Sequence, residues 1–134
     1  IMNQSTINTE IRKLVASIGK DLNLKIAWPN LPFNDINDPY LQLHIMPVET
    51  DNIGLSQDMP VYRGVIQINV VGKVGGGDSR LSTIVDDVKA RLENGLTLGE
   101  GVYINGEPSQ FPPISDETNY TIPIRASYRC NAIR

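Results

Sequence analysis

Two long runs of strict alternation constrain this chain more than anything else in it. Tyr62, Gly64, Ile66, Ile68 and Val70 alternate with Arg63, Val65, Gln67, Asn69 and Val71. Tyr120, Ile122, Ile124, Ala126, Tyr128 and Cys130 alternate with Thr121, Pro123, Arg125, Ser127 and Arg129. A period of two sends one set of side chains to a buried sheet face and the other to solvent or a partner. The second set is polar for a strand, so the sheet has an outer face rich in Arg, Gln, Asn, Thr and Ser.

Helical spacing appears twice. Ile7, Ile11, Leu14, Val15, Ile18 and Leu22 form one apolar stripe, with Ser5 or Thr6 as the expected N-cap and Asp21 and Asn23 favouring the end. Leu81, Ile84, Val85, Val88 and Leu92 form a second stripe, capped by Asp78 or Ser79 and closed by Asn94-Gly95 in a left-handed conformation. Between them lie a short extended piece, Lys25 to Trp28, and a loop from Pro29 to Pro39 anchored by Trp28 and Phe33. A strand follows from Tyr40 to Met46, and then the strand Val61 to Val71. The polar segment Thr50 to Pro60 is expected at the tip of a hairpin joining these last two, since sequential strands usually pair. Leu96 to Gly99 reads as a connector. Val102 to Ile104 runs into Asn105-Gly106, a two-residue hairpin signal. Pro108 to Pro113 reads as irregular, before a last strand from about Thr118 to Asn131.

The expected fold is therefore α+β, a single domain over residues 1–134 in the order α-β-β-β-α-β-β. Two helices pack on one face of a mostly antiparallel sheet. A chain of this length buries about two-thirds of its unfolded surface, enough for one core. No apolar run reaches the roughly 18 residues of a membrane span. Residues Ile1 to Ser5 lack the basic and apolar regions of a secretory leader, so none is expected there, and Ile1 suggests a missing initiator Met.

Chemistry is sparse. His44 is the sole histidine and Cys130 the sole cysteine, so a zinc site or an internal disulfide lacks ligands. Cys130 shares parity with the buried set and reads as an inert core thiol in a chain that does not use disulfides. His44 reads as a solvent-side strand residue, without the partners a catalytic role requires. Gly75-Gly76-Gly77-Asp78-Ser79 leads into a helix but lacks the Lys of a phosphate loop, and Asp78 would repel phosphate. The loop acids Asp35, Asp38, Glu49, Asp51, Asp58, Asp116 and Glu117 match no calcium-loop spacing and read as solubilising charge. Twelve basic and fifteen acidic side chains give a net charge of −3, which disfavours a dedicated nucleic-acid binder. Arg63, Arg125 and Arg129 share outward parity and form a basic stripe if their strands are neighbours. No catalytic residue, cofactor or metal is expected.

Particular stretches carry a family resemblance. Ile26-Ala27-Trp28-Pro29-Asn30-Leu31-Pro32-Phe33, Pro39 to Pro47, Tyr62-Arg63-Gly64-Val65-Ile66-Gln67-Ile68-Asn69-Val70, the Gly75 to Gly77 turn, and Tyr120 to Tyr128 follow one another in an order that resembles the phage tail terminator-like proteins of long-tailed phages and prophages. The resemblance runs from the first helix to Tyr128. It implies a structural virion protein that caps the tail tube as a ring, typically a hexamer, stops tube growth and joins tail to head. It also implies assembly in the host cytoplasm and a place at the head–tail junction. The implied partners are copies of itself, the tail tube protein and a head-side connector, with DNA only passing through the lumen and no membrane. A globule this long has a radius of gyration of about 14 Å and a diameter of roughly 36 Å, so six in a ring leave an opening on the order of 36 Å, wide enough for duplex DNA. The candidate contact residues are Asp51, Asn52, Ile53, Leu55, Gln57 and Met59 in the hairpin segment, with Arg63, Arg125 and Arg129 on the outer sheet face. The alternatives are another head–tail connector, such as a stopper or tail-completion protein, a tube subunit, or more distantly a small ligand-binding or hydrolytic domain.

Overall fold

The computed structural model describes residues 4–28, 39–48, 51–53, 59–73, 75, 79–99, 101–115 and 119–131, with only the backbone described at 51–53, 59–61 and 131. Helix α1 (Gln4–Leu22) is followed by strands β1 (Lys25–Ala27), β2 (Tyr40–Pro47), β3 (Asp51–Ile53) and β4 (Met59–Lys73). Helix α2 (Ser79–Arg91) then leads to β5 (Thr97–Gly99), β6 (Val102–Ile104), β7 (Ser109–Gln110), β8 (Ile114–Ser115) and β9 (Asn119–Asn131). The expected α-β-β-β-α-β-β order is met by α1, β1, β2, β4, α2, β6 and β9. The short strands β3, β5, β7 and β8 are additions that pattern alone did not separate from loop.

One sheet carries the strands in the order β1-β2-β4-β9-β6-β5, with β3 beside β4, and β7 and β8 beside β9. Every pairing is antiparallel except β1 with β2. Its axis is the β4–β9 pair, in unbroken register from Val61↔Asn131 to Lys73↔Asn119. The hairpin expected between β2 and β4 is present, with Tyr40↔Val71 at one end and Pro47↔Gly64 at the other. It continues into β3, where Asp51 faces Val61 and Ile53 faces Met59.

Both helices cover the same sheet face. Ile7, Ile11, Val15 and Ile18 of α1 and Leu81, Ile84, Val85 and Val88 of α2 share one core with Leu41, Leu43, Ile66, Ile68, Val70, Ile122, Ile124, Ala126, Tyr128 and Cys130. Burying each large aliphatic side chain contributes about 1.5–3 kcal/mol, so this face holds the molecule together. Trp28 packs against its margin, as expected, whereas Phe33 lies outside the described residues. Arg91 ties the helices to each other. Its guanidinium donates to Asp21 Oδ2 and, at 2.9 Å, to Ser17 Oγ.

Local expectations need correction at three places. The described part of α1 already begins at Gln4, so Ser5 and Thr6 lie within its first turn instead of capping it. Its other end falls where Asp21 and Asn23 favoured it, and takes the form of a left-handed stop. Asn23 has φ 58°, the Leu24 N–H donates to Gly19 O (2.8 Å) and the Asn23 N–H to Lys20 O (3.3 Å). Of the two proposed caps of α2, Ser79 is its first residue and Asp78 lies outside the described residues. Gly95 does adopt a positive φ, 87°, but it serves a turn beyond the helix, closed by the Leu96 N–H donating to Glu93 O (3.1 Å).

The last correction concerns Asn105-Gly106, which does not close a two-residue hairpin. Strand β6 pairs instead with β5 behind it and with β9 beside it. That makes Thr97–Gly99 a strand where a connector was expected. The Asn105 N–H donates to Ser127 O and the Gly106 N–H to Asn94 Oδ1, so the dipeptide is held by other elements. Beyond it the chain continues along β9 through β7, within the stretch Pro108 to Pro113 read as irregular, and through β8 just past that stretch.

Candidate functional site

The outer sheet face is the one surface where the alternating polar residues of three long strands come together. Register puts them in rows: Gln42, Asn69 and Pro123; His44, Gln67 and Arg125; Met46, Val65 and Ser127; then Arg63 and Arg129 side by side. The three arginines thus share one face, as their parity implied, with Arg63 opposite Arg129 and Arg125 two outward-facing residue pairs further along. Arg63 and Arg129 border an open hollow of about 410 Å3, together with Val48, Val65 and Ser127. His44 is exposed, as its outward position requires.

A hydrogen-bonded ladder crosses this face. The Arg125 Nε–H donates to Gln67 Oε1 (2.8 Å), Gln67 Nε2 to Asn69 Oδ1 (2.9 Å), and Asn69 Nδ2 to Gln42 Oε1 (2.9 Å). Arg can only donate, so it fixes the orientation of every amide after it. At the other end the Arg125 guanidinium lies over the Phe111 ring, 4.7 Å from its centroid. Phe111 is itself placed by its N–H donating to Pro123 O (2.9 Å). The row therefore joins β2, β4, β9 and the segment between β7 and β8 into a fixed surface. Sequence parity found the arginines but not Phe111, which lies in a stretch without period.

Asn69 is the most buried member of the row, 7% exposed. Asn69→Ala removes two hydrogen bonds, and its half-buried neighbours Gln67 and Gln42 recover only part of them from water. The expected loss is about 1–2 kcal/mol in urea unfolding.

The hairpin candidates divide differently. Asp51, Asn52, Ile53 and Met59 lie on the β3–β4 ladder, which extends the hairpin past the end of β2. Leu55 and Gln57 lie outside the described residues, as do Asp35, Asp38, Glu49, Asp58, Asp116 and Glu117. Among the described residues no group of three or more His, Cys, Asp or Glu side chains is placed to hold a metal.

Cys130 is fully buried, and burial raises its thiol above the usual 9.0. Tyr128, two residues before it on the same strand face, is raised above 10.0, again by burial, which outweighs the opposing hydrogen bond from Gln4. Both groups hold their proton more tightly when folded. Their contribution is therefore complete below the unfolded values and is lost as pH rises through the folded ones. The urea midpoint should stay level at neutral pH and fall as the solution passes 9.0 and then 10.0. Ellman's reagent should leave the native thiol unlabelled.

A family profile described as "Phage tail terminator protein" matches residues 7–128, from the first buried turn of α1 to the Tyr128 position of β9. The chain belongs to the phage tail terminator family. A solved structure that carries no functional name is similar over the whole fold, with a TM-score of 0.81 and 26% identity, covering 100% of this chain and 99% of that one. Among curated proteins none matches. Membership makes this tail terminator family protein a structural component of a phage tail, and its family is not an enzyme family. No helix among the described residues is long and apolar enough to cross a membrane.

Proposed function

We propose that this chain closes the end of the tail tube as a ring of identical copies, typically six, halting addition of tube subunits and presenting the surface to which a head-side connector attaches. The observation that carries this reading is the family match over residues 7–128. The fold is consistent with it. The helical side offers one surface, the polar sheet another, and the β3–β4 hairpin extends past the rest of the sheet edge. Head-to-tail contacts between unlike surfaces close into rings whose two rims differ, so one rim can meet the tube and the other the head. DNA passes through the opening without a dedicated site, as suits a net charge of −3. Such a protein assembles in the host cytoplasm and ends at the head–tail junction.

Electron microscopy of particles assembled with and without this chain tests the reading. Without it, tubes should run to irregular lengths and fail to join heads. With it, an antibody label should mark the junction alone. Label along the whole tube would make it a tube subunit instead. Normal tube length with leaking heads would make it a stopper. A label absent from the junction would overturn the assignment.

A further inference from the structure

We infer that the outer sheet face, centred on Arg125, docks the outward face of helix α2 of a second copy, through carboxylates Asp86 and Asp87. This rests on the ring reading and specifies which surfaces meet.

Three observations favour it. The first is the fixed state of Arg125. Gln67 holds its Nε–H and the Phe111 ring supports one face of the guanidinium, yet the side chain is exposed. Its two Nη groups have no other partner among the described residues. An end-on fork of this kind matches a carboxylate, and little rotamer freedom remains to be lost when one arrives. Phe111, 38% exposed, stands beside it, and arginine with an aromatic is the pairing that interface anchors favour.

The second observation is charge. Helix α2 buries Leu81, Ile84, Val85 and Val88, which leaves Thr83, Asp86, Asp87 and Ala90 at helical spacing along the middle of its exposed side, with Arg80 and the half-buried Lys89 at the two flanks. Asp86 and Asp87 have no basic partner among the described residues. The short side chains of Thr83 and Ala90 flank them and let the helix approach a flat surface. The sheet face offers Arg125 in return.

The third is direction. Because α2 packs on the inner face of the sheet, its exposed side points away from the outer face. A contact between the two is front to back. Each copy keeps one of each surface unused for the next, which is the condition for a closed ring. Duplex DNA is the other polyanion an arginine row attracts, and the acidic balance of the chain disfavours it.

The test uses charge reversal in the full-length protein, with association followed by sedimentation in solution and by co-sedimentation with tail tubes from particles made without this chain. Arg125→Glu and the double variant Asp86→Lys/Asp87→Lys should each weaken association by about tenfold or more. Asp86 and Asp87 are exposed and hold no basic partner among the described residues, so the double variant should keep the circular dichroism and melting temperature of the unaltered protein. Arg125→Glu also gives up its Gln67 and Phe111 contacts, so it should keep the circular dichroism but melt a few degrees lower. Mixed one to one, the two variants should associate again, because in an alternating ring every contact joins opposite charges, the reversed pair and the original pair in turn. Unweakened association by either variant overturns the inference, as does a mixture that fails to recover. Loss of duplex binding by Arg125→Glu in an anisotropy assay, with self-association unchanged, assigns the face to DNA and overturns it too. If the unaltered protein associates neither in solution nor on tubes, the ring reading itself fails, a result distinct from the others.

Discussion

Replacing Gly64 by alanine is expected to destabilise the fold by about 3 kcal/mol, the range seen when an atom is forced into a filled core. Gly64 sits in the middle of β4, opposite Pro47 on one side and Tyr128 on the other. A Cβ there would stand 2.6 Å from Tyr128 Oη and 2.6 Å from the Met46 carbonyl oxygen. The ring of Tyr128, 1% exposed, occupies the space that a side chain at 64 would need. Its hydroxyl accepts a hydrogen bond from Gln4 Nε2 at 3.0 Å, so displacing the ring also loosens the start of α1. The melting temperature should fall by about 10 °C on a chain of this size. Tyr128→Leu should be harmful alone but should add less than its full cost to Gly64→Ala, because both act on one space. Unfolding of Gly64→Ala within experimental error of the parent protein would show that the sheet relaxes around the new methyl.

The second large effect is expected on assembly and not on the fold. Deleting Asn52 to Gln57 should leave a folded subunit that fails to control tube length. The core lies elsewhere, in the even-numbered positions of β4 and β9 and the stripes of the two helices. The β2–β4 register from Tyr40↔Val71 to Pro47↔Gly64 does not depend on the deleted segment. Circular dichroism and the melting temperature should therefore change little, while tubes assembled with the variant should vary in length and remain without heads. Tubes of normal length would rule out the hairpin as a contact surface.

How much of this was legible in the sequence depended on period. β4 and β9 have a strict period of two over ten residues or more, and their buried set followed from it, but their pairing with each other did not, and Asn69, Val71 and Pro123 of the outward set are buried. The apolar stripes of α1 and α2 were equally plain, because a Leu, Ile or Val recurring every 3.6 residues fits a helix face and does not fit the two-residue repeat of a strand. The short strands were not legible. β5, β7 and β8 span two or three residues each and are strands only because β6 or β9 supplies hydrogen bonds at that place. Asn105-Gly106 misled for the same reason. Its local preference for a tight hairpin was overridden by the β9 backbone and by the Asn94 side chain, both outside the dipeptide's own turn. On the outer face, parity turned Arg63, Arg125 and Arg129 outward, and the β4–β9 pairing put them on one face. Only three-dimensional register could show that Gln67, Asn69 and Gln42 form a row, and that Phe111 closes it.

The position of β9 has a consequence for biosynthesis. The strand that completes the middle of the sheet is made after all the other described strands. A nascent chain that has emerged as far as Arg91 carries both helices and β2 against β4, yet the other side of β4 has nothing to bond to. An unsatisfied strand edge of that length is a template for pairing between neighbouring ribosomes' products. Closing the gap means bringing together segments distant along the polypeptide, which is slow. The virus therefore depends on that interval being short, or on host chaperones shielding it.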